Sequence, residues 1–463
     1  MGDKKSIWNF DMLFRPRSVA VIGASKKELT IGYRIIRNLV EMRFCGRIYP
    51  VNSRASILQD LLVYQSILDI PYDVDLAHIV VKSGHVPKVL SECAEKGVKV
   101  CIINTAGFKE TGPEGAKLEE EIVKIAHKTG IRILGPNCQG IINTDPEVNA
   151  YCNFTFTRQK PGCISIFTQS GGVGEVINNR LCELGEGLRI YASSGNSCDI
   201  QCHEILKYWG DDPGTRVIIC HIENIEDPEV FKKVAGKVSK KKPVLGMLSG
   251  RTRAGERAIA SHTGSIIKNS LHNKTVVEDS GILLFNSLEE ICQTARAFAH
   301  LPLPEGKNAG IITNTGGSGI IAADELIERG CRVPKLAEQT QKALRKGLYT
   351  EAIVSNPVDM LATAGPEHIE KTLSVLINDP EIDSILLNFI TPFFVDCEAV
   401  ALKIRDISLS SDKPVICVVM TDKNLWEPTL RVFSQAGIPT YDLPEIGAKV
   451  LASMTQYRGF VEK

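Results

Sequence analysis

Thr168-Gln169-Ser170-Gly171-Gly172-Val173-Gly174 follows the apolar run Cys163–Phe167 and leads into a helical pattern from Glu175 to Leu184. A second stretch, Thr313-Asn314-Thr315-Gly316-Gly317-Ser318-Gly319, stands in the same setting, between Ala309–Ile312 and Ile320–Glu328. Each reads as strand, tight turn, helix. Such a turn leaves the first N–H groups of the helix without an acceptor inside it, and glycine lets a ligand approach them closely. Together with the helix dipole they favour an anion. Two such turns, separated by a histidine-bearing segment, point to one shared phosphate and to phosphoryl chemistry.

Outward from these turns, strand-length apolar runs alternate with helical patterns, the signature of α/β folds with parallel sheets. Strands are expected at Ser18–Ile22, Arg47–Val51, Ala77–Val81, Lys99–Ile103 and Arg132–Leu134, closed by the loop Gly135-Pro136-Asn137-Cys138-Gln139-Gly140. A second group is expected at Cys163–Thr168, Leu188–Ala192, Arg216–Ile222, Val244–Leu248 and Ile282–Phe285. The third opens at Ala309 and adds Ser384–Phe389 and Val415–Val419. The prolines of Leu301-Pro302-Leu303-Pro304-Glu305-Gly306 mark a linker, because they stop a helix. The expected fold is therefore α/β, three Rossmann-like or flavodoxin-like domains with mainly parallel sheets and ligands at strand C-termini. A length of 463 residues suits three domains.

Composition excludes several classes. The 54 basic residues balance the 54 acidic ones, so no global attraction to nucleic acid or membrane is implied. No apolar run reaches the roughly 20 residues of a membrane span, and no secretory signal is visible. Fourteen scattered cysteines, without a Cys-x-x-Cys pair, read as reduced thiols of a cytoplasmic protein and not as a metal site.

Three further constellations carry chemistry. The first strand ends in Gly23-Ala24-Ser25 but lacks the Gly-x-Gly-x-x-Gly spacing. The second ends in Asn52, where a nicotinamide site would place an acidic residue. The stretch Ser249–Glu256, continued by Ala260–Ser265, sets His262 among two arginines, hydroxyls and glycines, in what reads as a mobile loop. A neutral imidazole is a competent nucleophile toward phosphorus when an acceptor holds its other N–H. Glu223, leaving the strand Arg216–Ile222, is the candidate acceptor. His221 reads as a satisfied structural histidine.

Taken with Ile48-Tyr49-Pro50-Val51-Asn52, Leu134–Gly140, Ser261-His262-Thr263-Gly264 and Asn356-Pro357-Val358-Asp359, these motifs resemble those of one family over nearly the whole chain. It is the alpha subunit of the ADP-forming acyl-CoA synthetases, in the superfamily of succinyl-CoA synthetase. The resemblance implies a CoA-binding domain at 1–145, a succinyl-CoA-ligase-like domain with the phosphohistidine loop at 146–303, and a third flavodoxin-like domain at 304–463. It implies His262 as the phosphorylated residue, Glu223 as its support, and phosphate binding at Ser170, Gly171, Gly172, Thr315, Gly316 and Gly317. Gly23, Ala24, Ser25, Asn52, Asn137 and Cys138 fall in the CoA-binding segments.

The implied reaction turns acyl-CoA, phosphate and ADP into acid, CoA and ATP. ADP or ATP and Mg²⁺ are expected on an ATP-grasp beta subunit, in an α2β2-type assembly. Departures include His221-Ile222-Glu223-Asn224 in place of Tyr-x-Glu-Gly. The competing expectations are a non-catalytic CoA-binding regulatory protein and a nicotinamide-dependent oxidoreductase.

Overall fold

The computed structural model describes residues 10–54, 56–263 and 270–462, with backbone alone at 260–263 and 270–272. The chain divides into two compact units between Asn286 and Ser287.

The first unit holds two sheets. One has five parallel strands in the spatial order Arg47–Val51, Ser18–Ile22, Leu76–Ile79, Val100–Ile103 and Arg132–Leu134. Every residue of Ser18–Ile22 and Leu76–Ile79 is buried, as expected for strands covered by helices on both faces. The other has seven strands. Its parallel part runs Leu283–Leu284, Val244–Leu248, Val217–Ile222, Pro161–Thr168 and Leu188–Ser193. Gly140–Asn143 and Ala150–Asn153 then extend it antiparallel. Sequence patterning missed these two strands. They are four residues each, too short for periodicity to register, and what fixes them is pairing: Gly140–Asn143 to Leu188–Ser193, and Ala150–Asn153 to Gly140–Asn143.

The second unit has five parallel strands in the order Val358–Asp359, Ala309–Thr313, Ser384–Ile390, Val415–Met420 and Thr440–Tyr441. Its first helix, Leu288–His300, precedes the proline segment and packs on Pro444–Val461. Arg296 Nη1 donates to Thr440 O at 3.1 Å and so ties that helix to the sheet edge.

Numbered by sequence, the parallel strands of all three sheets follow the flavodoxin-like order 2-1-3-4-5. In such sheets the crevice opens where strands 1 and 3 part, beyond their C-terminal ends. Gly23, the turn at Ser170 and the turn at Thr315 each follow a strand 1.

One expectation is corrected. The segment around His262 is not a loop: residues Arg253–Thr263 form a helix. Ala254, Glu256, Arg257, Ala258 and Ala260 favour helix strongly enough to outweigh Gly255. Thr252 supports its start, accepting from Gly255 N at 3.1 Å on its hydroxyl. The His262 side chain lies outside the described residues, as does Gly264. Among the described residues, no helix is long and apolar enough to cross a membrane.

Candidate functional site

The first turn sits where Pro161–Thr168 parts from Val217–Ile222. Ser170 caps helix Gly171–Glu183, its hydroxyl accepting from Val173 N at 3.4 Å. The Thr168 hydroxyl donates to Ser170 O at 2.5 Å and pins the turn to its strand. A Cβ on Gly172 would meet nothing within 4 Å, so the space above the turn is open. A Cβ on Gly171 would stand 2.8 Å from Gln139 Cγ, so that glycine admits Gln139 beneath the turn. Gln139 accepts from Tyr191 Oη and donates its backbone N–H to Ser193 Oγ at 3.2 Å.

A cavity of about 690 Å³ opens over this turn. Its wall includes Ser170, Gly171, Gly172, Glu223, Asn137 and Cys138. The structure thus gathers six of the expected site residues, from three separate segments, into one space. Val80, Val81 and Phe154 add apolar surface, and Lys82 a cation.

Asn137 has a left-handed backbone, φ 58°, and is interlocked with the next loop. Asn196 N donates to Pro136 O at 2.9 Å, and a Cβ on Gly195 would stand 2.3 Å from Asn137 O. The Asn196 amide also bridges Glu110 at 2.6 Å and Glu119 at 2.8 Å. Burial opposes ionisation of Glu110, but Asn196 and the N–H groups of Gly107 and Phe108 hold its carboxyl below the usual range. Asn104 Nδ2 donates to Cys138 O at 2.6 Å. Burial pushes the Cys138 thiol up to about 12, so it stays protonated near neutrality and is no nucleophile there.

Gly23, Ala24, Ser25 and Asn52 stand at the switch point of the first sheet and do not line that cavity. Asn52 Nδ2 donates to Ala24 O at 2.6 Å, bridging the ends of the first two strands. Gly23 has φ 97°, and a Cβ there would stand 2.5 Å from Val80 O. Glycine is required.

His221 is buried and structural. Its Nε2 shares a hydrogen bond with Ser249 Oγ at 2.7 Å, and burial pulls its pKa down to about 4.

The second turn repeats the first. The Thr313 hydroxyl donates to Thr315 O at 2.7 Å, and Thr315 holds the N-cap position of helix Gly316–Glu328, there without the side-chain cap bond that Ser170 makes. A Cβ on Gly317 would meet nothing within 4 Å, while one on Gly316 would stand 3.0 Å from Asp359 Oδ2.

Gln139, Gln169, Asn104, Asn196 and Tyr191 shape the site without having been singled out from sequence. The two glutamines lay inside quoted motifs, whereas nothing local marks Asn104, Asn196 or Tyr191. Among the described residues, no three His, Cys, Asp or Glu side chains group so as to hold a metal ion.

Three family models match in succession: CoA binding domain over residues 17–144, succinyl-CoA ligase like flavodoxin domain over 161–298, and Ligase-CoA domain over 309–459. The chain is 39% identical to acetate–CoA ligase (ADP-forming) II subunit alpha of Pyrococcus furiosus, over 96% of this chain and 97% of that one. It is 37% identical to acetate–CoA ligase (ADP-forming) of Methanocaldococcus jannaschii, spanning 96% of this chain and 62% of that longer one. Ca. Korarchaeum cryptofilum dinucleotide forming acetyl-coenzyme A synthetase 1, solved in complex with phosphate and ADP, superposes with a TM-score of 0.92. That match has 31% identity and covers 98% of each chain.

Proposed function

Because the chain belongs to the family of ADP-forming acyl-CoA synthetase alpha subunits, we propose that it converts acyl-CoA, phosphate and ADP reversibly into the free acid, CoA and ATP. The observation that carries this reading is the 690 Å³ cavity, in which the Asn137–Cys138 loop, the Ser170–Gly172 turn and Glu223 face one space. A thioester end, a phosphate and a carboxylate that can hold an imidazole are the three things the chemistry requires.

A phosphate oxygen attacks the thioester carbonyl, the C–S bond breaks, and CoA leaves as a thiol after taking a proton. The acyl phosphate stays at the turn, its oxygens held by the N–H groups of Gly171 and Gly172 and by Ser170. One ring nitrogen of His262 then attacks phosphorus, and the carboxylate leaves with the electron pair of the broken P–O bond. Glu223 accepts the other N–H of the imidazole and offsets its positive charge. Splitting the coupling through a covalent intermediate lowers each barrier.

Thr315, Gly316 and Gly317 form a second phosphate-binding turn in this reading. Gly23, Ala24, Ser25 and Asn52 hold CoA away from its reactive end. The domain division at 1–145, 146–303 and 304–463 follows the same assignment. ADP, ATP and Mg²⁺ belong to an ATP-grasp beta subunit in an α2β2-type assembly in the cytoplasm.

The test uses the chain co-expressed with that partner, acetyl-CoA and labelled inorganic phosphate. Acid-labile label on His262, absent from His262→Ala, is the expected result. Label on neither protein, with CoA bound normally, would leave a CoA-binding regulator in its place. A panel of carboxylic acids assayed with the same complex identifies the substrate.

A further inference from the structure

The two glycine turns share a second device, built from the residue that follows each threonine. In the first unit Thr168 stands in register with His221 across a parallel ladder, and Gln169 N donates to His221 O at 3.2 Å. The Gln169 side chain then reaches the loop beyond that strand. Its Oε1 accepts from the backbone N–H of both Glu223 and Asn224, the latter at 2.9 Å. Its Nε2 donates to Asn224 O at 3.1 Å and stands 3.5 Å from Ser197 Oγ.

In the second unit Thr313 stands in register with Asn388, and Asn314 N donates to Asn388 O at 3.4 Å. Asn314 Oδ1 accepts from Ile390 N at 2.9 Å, and its Nδ2 donates to Ile390 O at 3.0 Å. Each amide thus stitches its turn to the C-terminal end of strand 3 of its own sheet, Gln169 just beyond the last strand residue and Asn314 at it. The shorter asparagine spans one residue where glutamine spans two.

The residues so held differ. Gln169 fixes a carboxylate-bearing position, Glu223, whereas Asn314 fixes Ile390, followed by Thr391 and Pro392. Gln169 is 8% exposed and lines the cavity, so its amide is desolvated and its hydrogen bonds matter more than they would in water.

We propose that Gln169 is a positioning residue for phosphoryl transfer: it fixes the backbone of Glu223 relative to the Ser170–Gly172 cradle, so that carboxylate and phosphate keep one relative geometry. This rests on the assignment of His262 and Glu223 above. Gln169 touches neither phosphorus nor imidazole and acts through the Glu223 loop. Misplacing a catalytic group by about 1 Å can cost on the order of a hundredfold in rate. The effect should therefore fall on the transfer step and spare CoA binding.

The decisive experiment measures single-turnover labelling of His262, in the complex with the partner subunit, from acetyl-CoA and labelled phosphate. Gln169→Met keeps the volume and removes the clamp. Labelling should slow by about 10–100-fold while the steady-state KM for acetyl-CoA stays within about twofold. In a double-mutant cycle, adding Gln169→Met to Glu223→Gln should slow labelling by less than about twofold further, because both changes disable one unit.

Labelling of Gln169→Met at the unaltered rate, or a full multiplicative loss in the double variant, overturns the inference. Labelling of Glu223→Gln at the unaltered rate instead overturns the assignment of Glu223. Should the methionine variant fail to fold, Gln169→Asn tests the same point. It is one methylene too short to span both residues, is expected to label several-fold more slowly, and overturns the inference if it labels normally.

Discussion

Gly174 lies directly beneath Tyr191: a Cβ at 174 would stand 2.3 Å from the Tyr191 hydroxyl and 2.4 Å from Thr168 Cγ2. The third glycine of the turn is thus a packing glycine, and the hydroxyl it admits continues to Gln139 under Gly171. Gly174→Ala would push Tyr191 off Gln139 and overfill a buried contact. It should lower stability by about 1–3 kcal/mol, read as a shift in denaturant midpoint. An unshifted midpoint would mean that the helix slides freely over the strand.

Gly172 and Gly317 are the opposite case, since a Cβ at either meets nothing within 4 Å. Alanine at 172 should leave stability within about 1 kcal/mol of the parent. It should crowd an anion away from the amides, and one hydrogen bond to a charged group is worth about 1.5–3 kcal/mol. A rise of about 10–100-fold in KM for phosphate is expected. Unchanged phosphate kinetics would remove the turn from the site.

Asn52 joins two strand ends by donating to Ala24 O at 2.6 Å, and its Oδ1 accepts from Arg54 N at 2.8 Å within its own loop. Asn52→Ala should raise KM for CoA about fivefold, the equivalent of about 1 kcal/mol, with kcat nearly unchanged. A loss confined to kcat would place Asn52 in the chemistry instead.

Burial lowers the pKa of His221 to about 4 and that of His78 to about 3, from an ordinary value of 6.5. Below pH 6.5 the unfolded chain takes up protons that the folded one refuses. Stability therefore declines as pH falls from 6.5 toward 4 and is flat in these groups above it. For His221 the whole effect is on the order of 3 kcal/mol. His221→Gln should show a shallower decline of thermal midpoint over that window. An identical slope would mean that its imidazole is not kept neutral by the fold.

Much of the candidate site was legible because its signals are local. A strand, a hydroxyl, two glycines and a helix fall within about a dozen residues, and their occurring twice around one histidine is what marks the pair as anion turns. Glu223 was legible as a strand end, since ligands gather at that edge of a parallel sheet, whereas Asn137 and Cys138 entered only through the family resemblance. The helix at Arg253–Thr263 departs from its loop-like glycine and hydroxyl pattern because the alanines and charged residues around Gly255 set its propensity.

The chain alone determined an α/β fold with mainly parallel sheets, two matching strand–glycine-turn–helix segments and a histidine placed between them in sequence, because periodicity and turn chemistry act over a few neighbouring residues. Only tertiary structure decided that Gln169 would hold Glu223, 54 residues away. It also decided that Asn196 would lock the Asn137 loop from a different sheet, and that Gly140–Asn143 would join the second sheet and not close the first. Those outcomes depend on which strands become neighbours. That choice is made by burying apolar faces across the whole molecule, a sum no short stretch of sequence contains.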